Sequence, residues 1–379
     1  MKTCQGMALS LVVILVSLTA CSPRTAASAG PASSGKAVWE AEWNQVLAAA
    51  RQEGTVVVPT SGGAEMRTAL AKGFQDAYGI AVENISGRGS EMAQKILSER
   101  RAGIYSYDVY MGGSSTPTNI LKPEGVFDPF EPELINPEVT DPQTIKKIWW
   151  HGSLWWIDPD KRLLAFSLTP DAAIAYNTSL VKEGEIKSWQ DLLDPKWKGK
   201  IVINDPTTAG AGATFGLFAY STLGEDFLKA LAQNEPQVVR DERLMLEWLA
   251  RGKVAMVVPP NTSVLPEFLN IGAPIKTVVP KEGAWMAAGH GALAAFNKQP
   301  HPNAAKVYVA WLLSKEGQTL YARVGLAQSL RLDVPVDHLD PLNRRQEGVS
   351  YFIKEQEKVL QMDAVVQQKS KAIFGTLVK

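Results

Sequence analysis

The chain has 379 residues, 45% of them hydrophobic, with 39 basic and 39 acidic side chains. Both signs are interspersed, which excludes the basic stripe of a nucleic-acid binder, and the length suffices for two cored domains. The only cysteines are Cys4 and Cys21, so neither a disulfide framework nor a cysteine metal site is expected.

Lys2 opens a positive start, and Met7 to Thr19 is an apolar run. It falls short of the about 20 residues that span a bilayer and fits a secretory h-region. Leu18-Thr19-Ala20-Cys21 resembles a lipobox, the bacterial lipoprotein processing site. Residues 1–20 are thus expected to be a signal peptide and Cys21 the lipidated residue that anchors the chain to the membrane. An ordinary signal peptide ending near Ala20 is the alternative. Residues 21–37, rich in Ser, Ala, Gly and Pro, lack the apolar content for a core and read as a flexible tether.

Helix and strand patterns alternate from there. Trp39, Trp43, Val46, Leu47 and Ala50 recur at helical spacing before Gly54. Thr55 to Val58 is a β-branched strand, followed by the loop Pro59 to Gly63. Met66, Leu70, Phe74 and Tyr78 mark a helix ended by Gly79, and Ile80 to Ile85 is a strand. The loop Ser86-Gly87-Arg88-Gly89-Ser90 precedes a helix with Met92, Ile96 and Leu97, and the strand Asp108 to Met111 runs into Gly112-Gly113-Ser114-Ser115. This rhythm predicts βαβ units, a mostly parallel sheet and an α/β fold.

A second unit follows from about Tyr176 to Val279. Ser188 and Asp191 form a capping box. The strand Ile201 to Asn204 leads into the loop Asp205 to Gly212, and the strand Val254 to Val258 into Pro259-Pro260-Asn261-Thr262-Ser263. Gly291 to Phe296 is a strand, and helical segments are expected through Phe352, Leu360 and Val365.

Loops at the carboxyl ends of such strands bind ligands, because glycine lets a ligand reach backbone N–H groups and helix N-termini favour anions. The candidate ligand residues are therefore Ser61, Gly62, Arg88, Gly89, Ser114, Ser115, Thr207, Thr208, Asn261 and Thr262, with Ser90 and Ser263 beside them. Tight turns use Gly and Ser too; several loops at one sheet edge favour a cleft. Arg88 is the cation of the set and can either grip a carboxylate or phosphate bidentately or sit at the surface and cap its own loop. Acids are scarce in these loops, so a polycation is a poor fit. Trp149, Trp150, Trp155 and Trp156 read either as core packing or as stacking surfaces for a sugar. No catalytic, Walker or metal-ligand motif is present, no cofactor is expected, and binding is favoured over catalysis.

Ile174-Ala175-Tyr176-Asn177-Thr178 and the stretch Ser188-Trp189 to Lys198-Gly199-Lys200-Ile201 resemble the family 1 extracellular solute-binding proteins of ABC importers, near the iron, thiamine and polyamine branch. Tyr107 to Met111, His301 to Lys306 and Leu313 to Gln318 resemble flanking segments of that family. The resemblance implies a non-enzymatic, monomeric, two-lobe clamshell of the type II periplasmic-binding-protein class with crossing hinge strands. Residues 38–170 and 285–335 would form lobe one, 171–284 lobe two and 336–379 a C-terminal helical segment. The chain would cross near Leu164 to Tyr176 and Val279 to Ala292, which makes Tyr176 a further ligand candidate and puts Asn177, Trp285 and His290 near the cleft. A small polar or anionic solute would be held between the lobes and delivered to a membrane permease and its ATPase, on the periplasmic or extracellular face. Where ferric-binding relatives place paired tyrosines, this chain has Pro259 and Pro260, which cannot ligate. Ferric-chelate binding, or a sensory or hydrolytic surface lipoprotein on the same fold, are the alternatives.

Overall fold

The computed structural model describes residues 31–87, 89–208, 210–261 and 264–378. Cys21, Arg88 and Thr262 lie outside the described residues. Helix α1 (Pro31–Glu53) begins inside the segment read as a tether; Pro31 takes the first helical position, where a missing N–H costs nothing. Next come strand β1 (Thr55–Thr60), helix α2 (Ala64–Tyr78), strand β2 (Ala81–Ser86), helix α3 (Gly89–Arg101) and strand β3 (Val109–Gly112). In α2, Met66, Leu70 and Phe74 are buried at a spacing of four, the apolar stripe a sheet-covering helix needs. Gly79 ends it in the left-handed region, its N–H returning to the Gln75 carbonyl.

A π-turn over Pro117–Leu121 and the short helices α4 (Pro137–Thr140) and α5 (Pro142–Ile148) lead to β4 (Trp155–Trp156) and β5 (Leu163–Ala165). The chain then passes through β6 (Thr169–Pro170) to β7 (Ile174–Asn177), β8 (Ile201–Asn204), α6 (Ala211–Thr222), α7 (Glu225–Gln233), β9 (Gln237–Val239), α8 (Glu242–Ala250), β10 (Met256–Val258), α9 (Leu265–Asn270) and β11 (Ile275–Val278). It returns through β12 (Ala284–Ala287) to β13 (Ala292–Ala295), α10 (Pro302–Leu312) and α11 (Lys315–Gly325), and ends with β14 (Tyr351–Ile353) and α12 (Glu357–Phe374).

These strands form three sheets, ordered β2-β1-β3-β13-β5-β4, β11-β7-β10-β8-β9 and β14-β12-β6. The large sheets are parallel only in part. β2-β1-β3 and β10-β8-β9 are parallel, whereas β13, β5 and β7 run against their neighbours. The mostly parallel expectation fails there because these strands carry the crossing chain, whose direction is set by the crossing. The first crossing leaves the six-stranded sheet at β5, contributes β6 to the small sheet and enters the five-stranded sheet at β7. The second reverses the route through β11, β12 and β13. β6 and β12 pair antiparallel, which makes the small sheet the hinge of a two-lobe α/β clamshell.

The C-terminal part departs from the helical expectation. Tyr351–Ile353 is a strand, paired parallel with β12; its aromatic and β-branched side chains suit a pleated surface. Helix α12 then packs on α6. That explains why α6 is apolar all round, buried from Gly212 to Ala219: it is covered on both sides. Three buried cores result, one under the six-stranded sheet and two flanking the five-stranded one. Of the four tryptophans, Trp149 is the one packed wholly in the core, while Trp150, Trp155 and Trp156 are half-buried. Trp149 is fully buried and donates its indole N–H to the Glu138 carbonyl at 2.9 Å, and Trp150 stacks on Trp155 at 6.1 Å. Trp285, expected near the cleft, is also fully buried and donates to Asp171 at 2.7 Å.

Candidate functional site

A cavity of about 350 Å³ opens where the carboxyl edge of the six-stranded sheet meets α6 and the hinge. The first sheet supplies Ser61 after β1, Gly89 after β2, and Gly113, Ser114, Ser115 and Thr116 after β3. The other wall is Gly210 and Thr214 at the start of α6, Ala287 at the end of β12 and Gly289 after it, and Lys354 and Glu355 after β14. The N-termini of α3 and α6 both reach it. The helix dipole favours negative charge at both ends, and at α6 the Gly212 N–H is already taken by Asn204 at 2.8 Å.

Each loop of the first wall is shaped locally. The Ser61 hydroxyl meets His290 Nδ1 at 3.1 Å, and burial pushes that imidazole below its usual value, towards the neutral form. Tyr110 donates its hydroxyl to the Gly113 carbonyl at 2.9 Å, which fixes the turn; burial raises its pKa. A Cβ at Gly112 would lie 2.7 Å from the Tyr110 hydroxyl and 3.0 Å from the Ser61 hydroxyl. Only glycine lets these loops approach so closely.

Glu355 is 2% exposed and held from two sides. The Ser114 hydroxyl donates to its Oε1 at 3.2 Å, and the Trp155 indole donates to its backbone carbonyl at 2.7 Å. Its Oε2 is buried with no hydrogen-bond partner among the described residues. Loss of water raises its pKa to about 7, against the smaller pull of Ala288, Lys354 and Ser114. Lys354, the adjacent cation, lies 3.6 Å from Asp363 on α12.

Ser61, Gly89, Ser114 and Ser115 are brought together at this cavity. The other described candidates lie off its lining. Gly62 is buried, its N–H on the Thr60 hydroxyl at 3.2 Å and its carbonyl accepting from Arg67 at 2.5 Å. Tyr176 is 5% exposed inside the core of the five-stranded sheet. Thr207 is tied through its N–H to Asp205 at 2.8 Å, and Thr208 is exposed. Asn261 donates its amide to Glu242 and accepts from the Val264 N–H at 3.0 Å. Asn177 is buried, its amide on the Leu249 carbonyl at 2.7 Å. Sequence reading passed over Tyr110, Thr116, Thr214, Lys354 and Glu355. Thr116 had a signal, being one residue past a Gly/Ser loop; Lys354 and Glu355 had none, because they sit in a segment read as helical. Among the described residues no cluster of three or more His, Cys, Asp and Glu could hold a metal ion, and no helix is long and apolar enough to cross a membrane.

Relatives match this architecture. An uncharacterized protein of Haemophilus influenzae is 28% identical over 287 residues, 74% of this chain and 79% of that protein. The crystal structure of iron-bound HitA from Pseudomonas aeruginosa superposes with a TM-score of 0.61 at 20% identity, covering 84% of this chain and 99% of that one. The periplasmic binding protein AfuA from Actinobacillus pleuropneumoniae, with fructose-6-phosphate bound, gives 0.59 at 23%, covering 85% and 98%. At such identities the structures establish the fold. Residues 69–331 match the bacterial extracellular solute-binding protein family, most of the described chain. The protein therefore belongs to the bacterial extracellular solute-binding proteins of ABC importers, carriers that hold a substrate without converting it.

Proposed function

We propose that this protein captures a small polar or anionic solute in the 350 Å³ cavity and delivers it to a membrane permease driven by an ATPase. The observation that carries this reading is the composition of the walls. Residues after β1, β2 and β3 face residues of α6 across it, with the hinge strand β12 at the back. A solute there touches both halves, so it interacts differently with open and closed forms and can drive closure. Lobe one is taken as residues 38–170 and 285–335 and lobe two as 171–284. Residues 336–379 join both, through β14 at the hinge and α12 on α6. The protein works as a monomer at the envelope, tethered through a lipid on Cys21.

Backbone donors at two helix N-termini, several hydroxyls and Lys354 suit an anion or a polyol bearing one. The test is a thermal-shift screen of the purified chain against sugar phosphates, organic acids, sulfate, ferric citrate, thiamine and polyamines. A true solute at 100 times its Kd adds about 2.7 kcal/mol of stability. Stabilisation by anionic members alone supports the reading; stabilisation by polyamines or thiamine alone overturns it.

A further inference from the structure

Glu355 is a fully buried acid in a cavity otherwise built to receive negative charge, and it lies outside the segment 69–331 that matches the family. Resting on the anionic reading above, we propose that Glu355 contacts the solute directly as a hydrogen-bond donor, so that the site selects an oxyanion and takes up a proton with it.

The geometry supports a donor. Oε1 is occupied by the Ser114 hydroxyl, and two elements fix the residue: the β3 loop through Ser114 and β4 through Trp155. Oε2 is the carboxyl atom left over, without a partner among the described residues and covered in this form, so a solute in the cavity that Glu355 lines reaches it through a small shift of the side chain. A buried polar atom left unpaired costs about 1–3 kcal/mol, so its natural complement is a group on the solute. An ionised Oε2 would ask for a donor such as an ammonium, but an ammonium there would face the N-termini of α3 and α6 and Lys354, all of positive sign. A protonated Oε2 asks for an acceptor, which an oxyanion supplies.

The groups around Glu355 agree on the sign. Lys354 on its own segment is the charge that acts on it, and Asp363 on α12 engages that lysine at 3.6 Å. His290, on the β12–β13 turn, is held towards neutrality by burial. Tyr110 on β3 has its hydroxyl proton committed to Gly113 and its pKa raised by burial. None of them supplies a proton at neutral pH, so the proton comes from solvent. An oxyanion beside the carboxyl raises its pKa further above about 7. Binding is then strongest below pH 7 and weakens by up to about tenfold per unit above it.

The test uses calorimetry of the whole chain with sulfate, succinate and glucose 6-sulfate, whose charges do not change between pH 6.5 and 9, and spermidine as a cation. Titration at about pH 8 in two buffers of different ionisation heat reads the protons taken up. The expected result is uptake of about one proton per anion bound and Kd rising with pH. The Glu355→Gln variant, which stays neutral and keeps a donor, binds the same anion without uptake and with a flat pH profile. Wild-type binding with no proton uptake overturns the role of Glu355 while leaving the anionic site intact. Binding of spermidine at pH 6.5, where a carboxyl of pKa about 7 still carries most of its proton, with proton release overturns it in the opposite direction. Failure of every anion to bind the wild type overturns the anionic reading itself. Should Glu355→Gln not fold, the two-buffer measurement on the wild type decides alone.

Discussion

The two large sheets present loops at equivalent edges, yet the loops spend their polar groups differently. After β8, Asn204 accepts from the Gly212 N–H at 2.8 Å, and Asp205 accepts from the Thr207 N–H at 2.8 Å and Arg240 at 2.7 Å. After β10, Asn261 is engaged by Val264 and Glu242. These loops of the five-stranded sheet are closed upon themselves. After β3 of the six-stranded sheet, by contrast, the hydroxyls of Ser115 and Thr116 line the cavity and make no hydrogen bond among the described residues. A loop rich in Gly, Ser and Thr marks a binding wall only where its side chains are not already consumed in holding the loop.

The hinge should matter more to stability than either set of loops. Trp285 in β12 is fully buried among Trp189, Phe215 and Phe218, and its indole N–H is the partner of Asp171. Trp285→Ala is expected to cost about 3–5 kcal/mol, from the cavity and the lost bond together. Urea denaturation reads it, and a loss below about 1 kcal/mol would show that the hinge strand does not anchor the core of the five-stranded sheet.

The comparison of loops is sharpened by Asp205→Ala. Asp205 is 2% exposed, and its bonds to Thr207 and Arg240 outweigh its burial and hold its carboxyl below the usual range. The depressed value means this stabilisation is present above the unfolded carboxylate pKa and is lost as pH falls through the folded one. Near pH 7 the substitution should remove about 2–3 kcal/mol and change solute affinity less than about twofold. A large affinity loss would break the distinction between loops that hold themselves and loops that hold the solute.

Glu133 separates stability from binding in the pH response. It is 7% exposed in the first lobe. Burial raises its pKa to about 7, against Lys306 and Gln299. The folded chain thus keeps a proton the unfolded chain releases near pH 4–5, so stability falls as pH rises from there to about 7 and then levels. Glu133→Gln should remove that fall and raise stability at pH 8 by on the order of 2 kcal/mol. Melting temperatures at pH 5 and pH 8 test it, and the pH dependence of solute binding should be unchanged.

The fold was legible because its signals are local. The stripe Met66, Leu70, Phe74 and the stop at Gly79 define α2, and the capping box of Ser188 and Asp191 holds as a turn. One wall of the site was legible for a related reason: Ser61, Gly89, Ser114 and Ser115 lie in the loops that follow strands, and a parallel sheet brings such loops to one edge. Glu355 was not. A short strand of Tyr351, Phe352 and Ile353 shows too few residues for a period, and its meaning comes from pairing with β12, 67 positions earlier by the register Trp285 to Phe352. Tyr176 and Asn261 lie off the cavity lining, and a polar residue near the end of a strand looks alike in sequence whether it faces a ligand or, as Asn261 does with Glu242, a neighbouring side chain.

The smallest expected effect is the most direct test of that distinction. Ser115→Ala removes a cavity-lining hydroxyl that serves no other described group. Folding stability should stay within about 0.5 kcal/mol, while solute affinity should fall roughly threefold to tenfold, the size of one neutral hydrogen bond. Thr208→Ala removes an exposed hydroxyl from the corresponding loop of the other sheet and should change neither. Isothermal titration of both variants with one anion gives the answer. Equal losses would mean that closure draws the β8 loop onto the solute, and the wall after α6 begins would then extend back to Thr208.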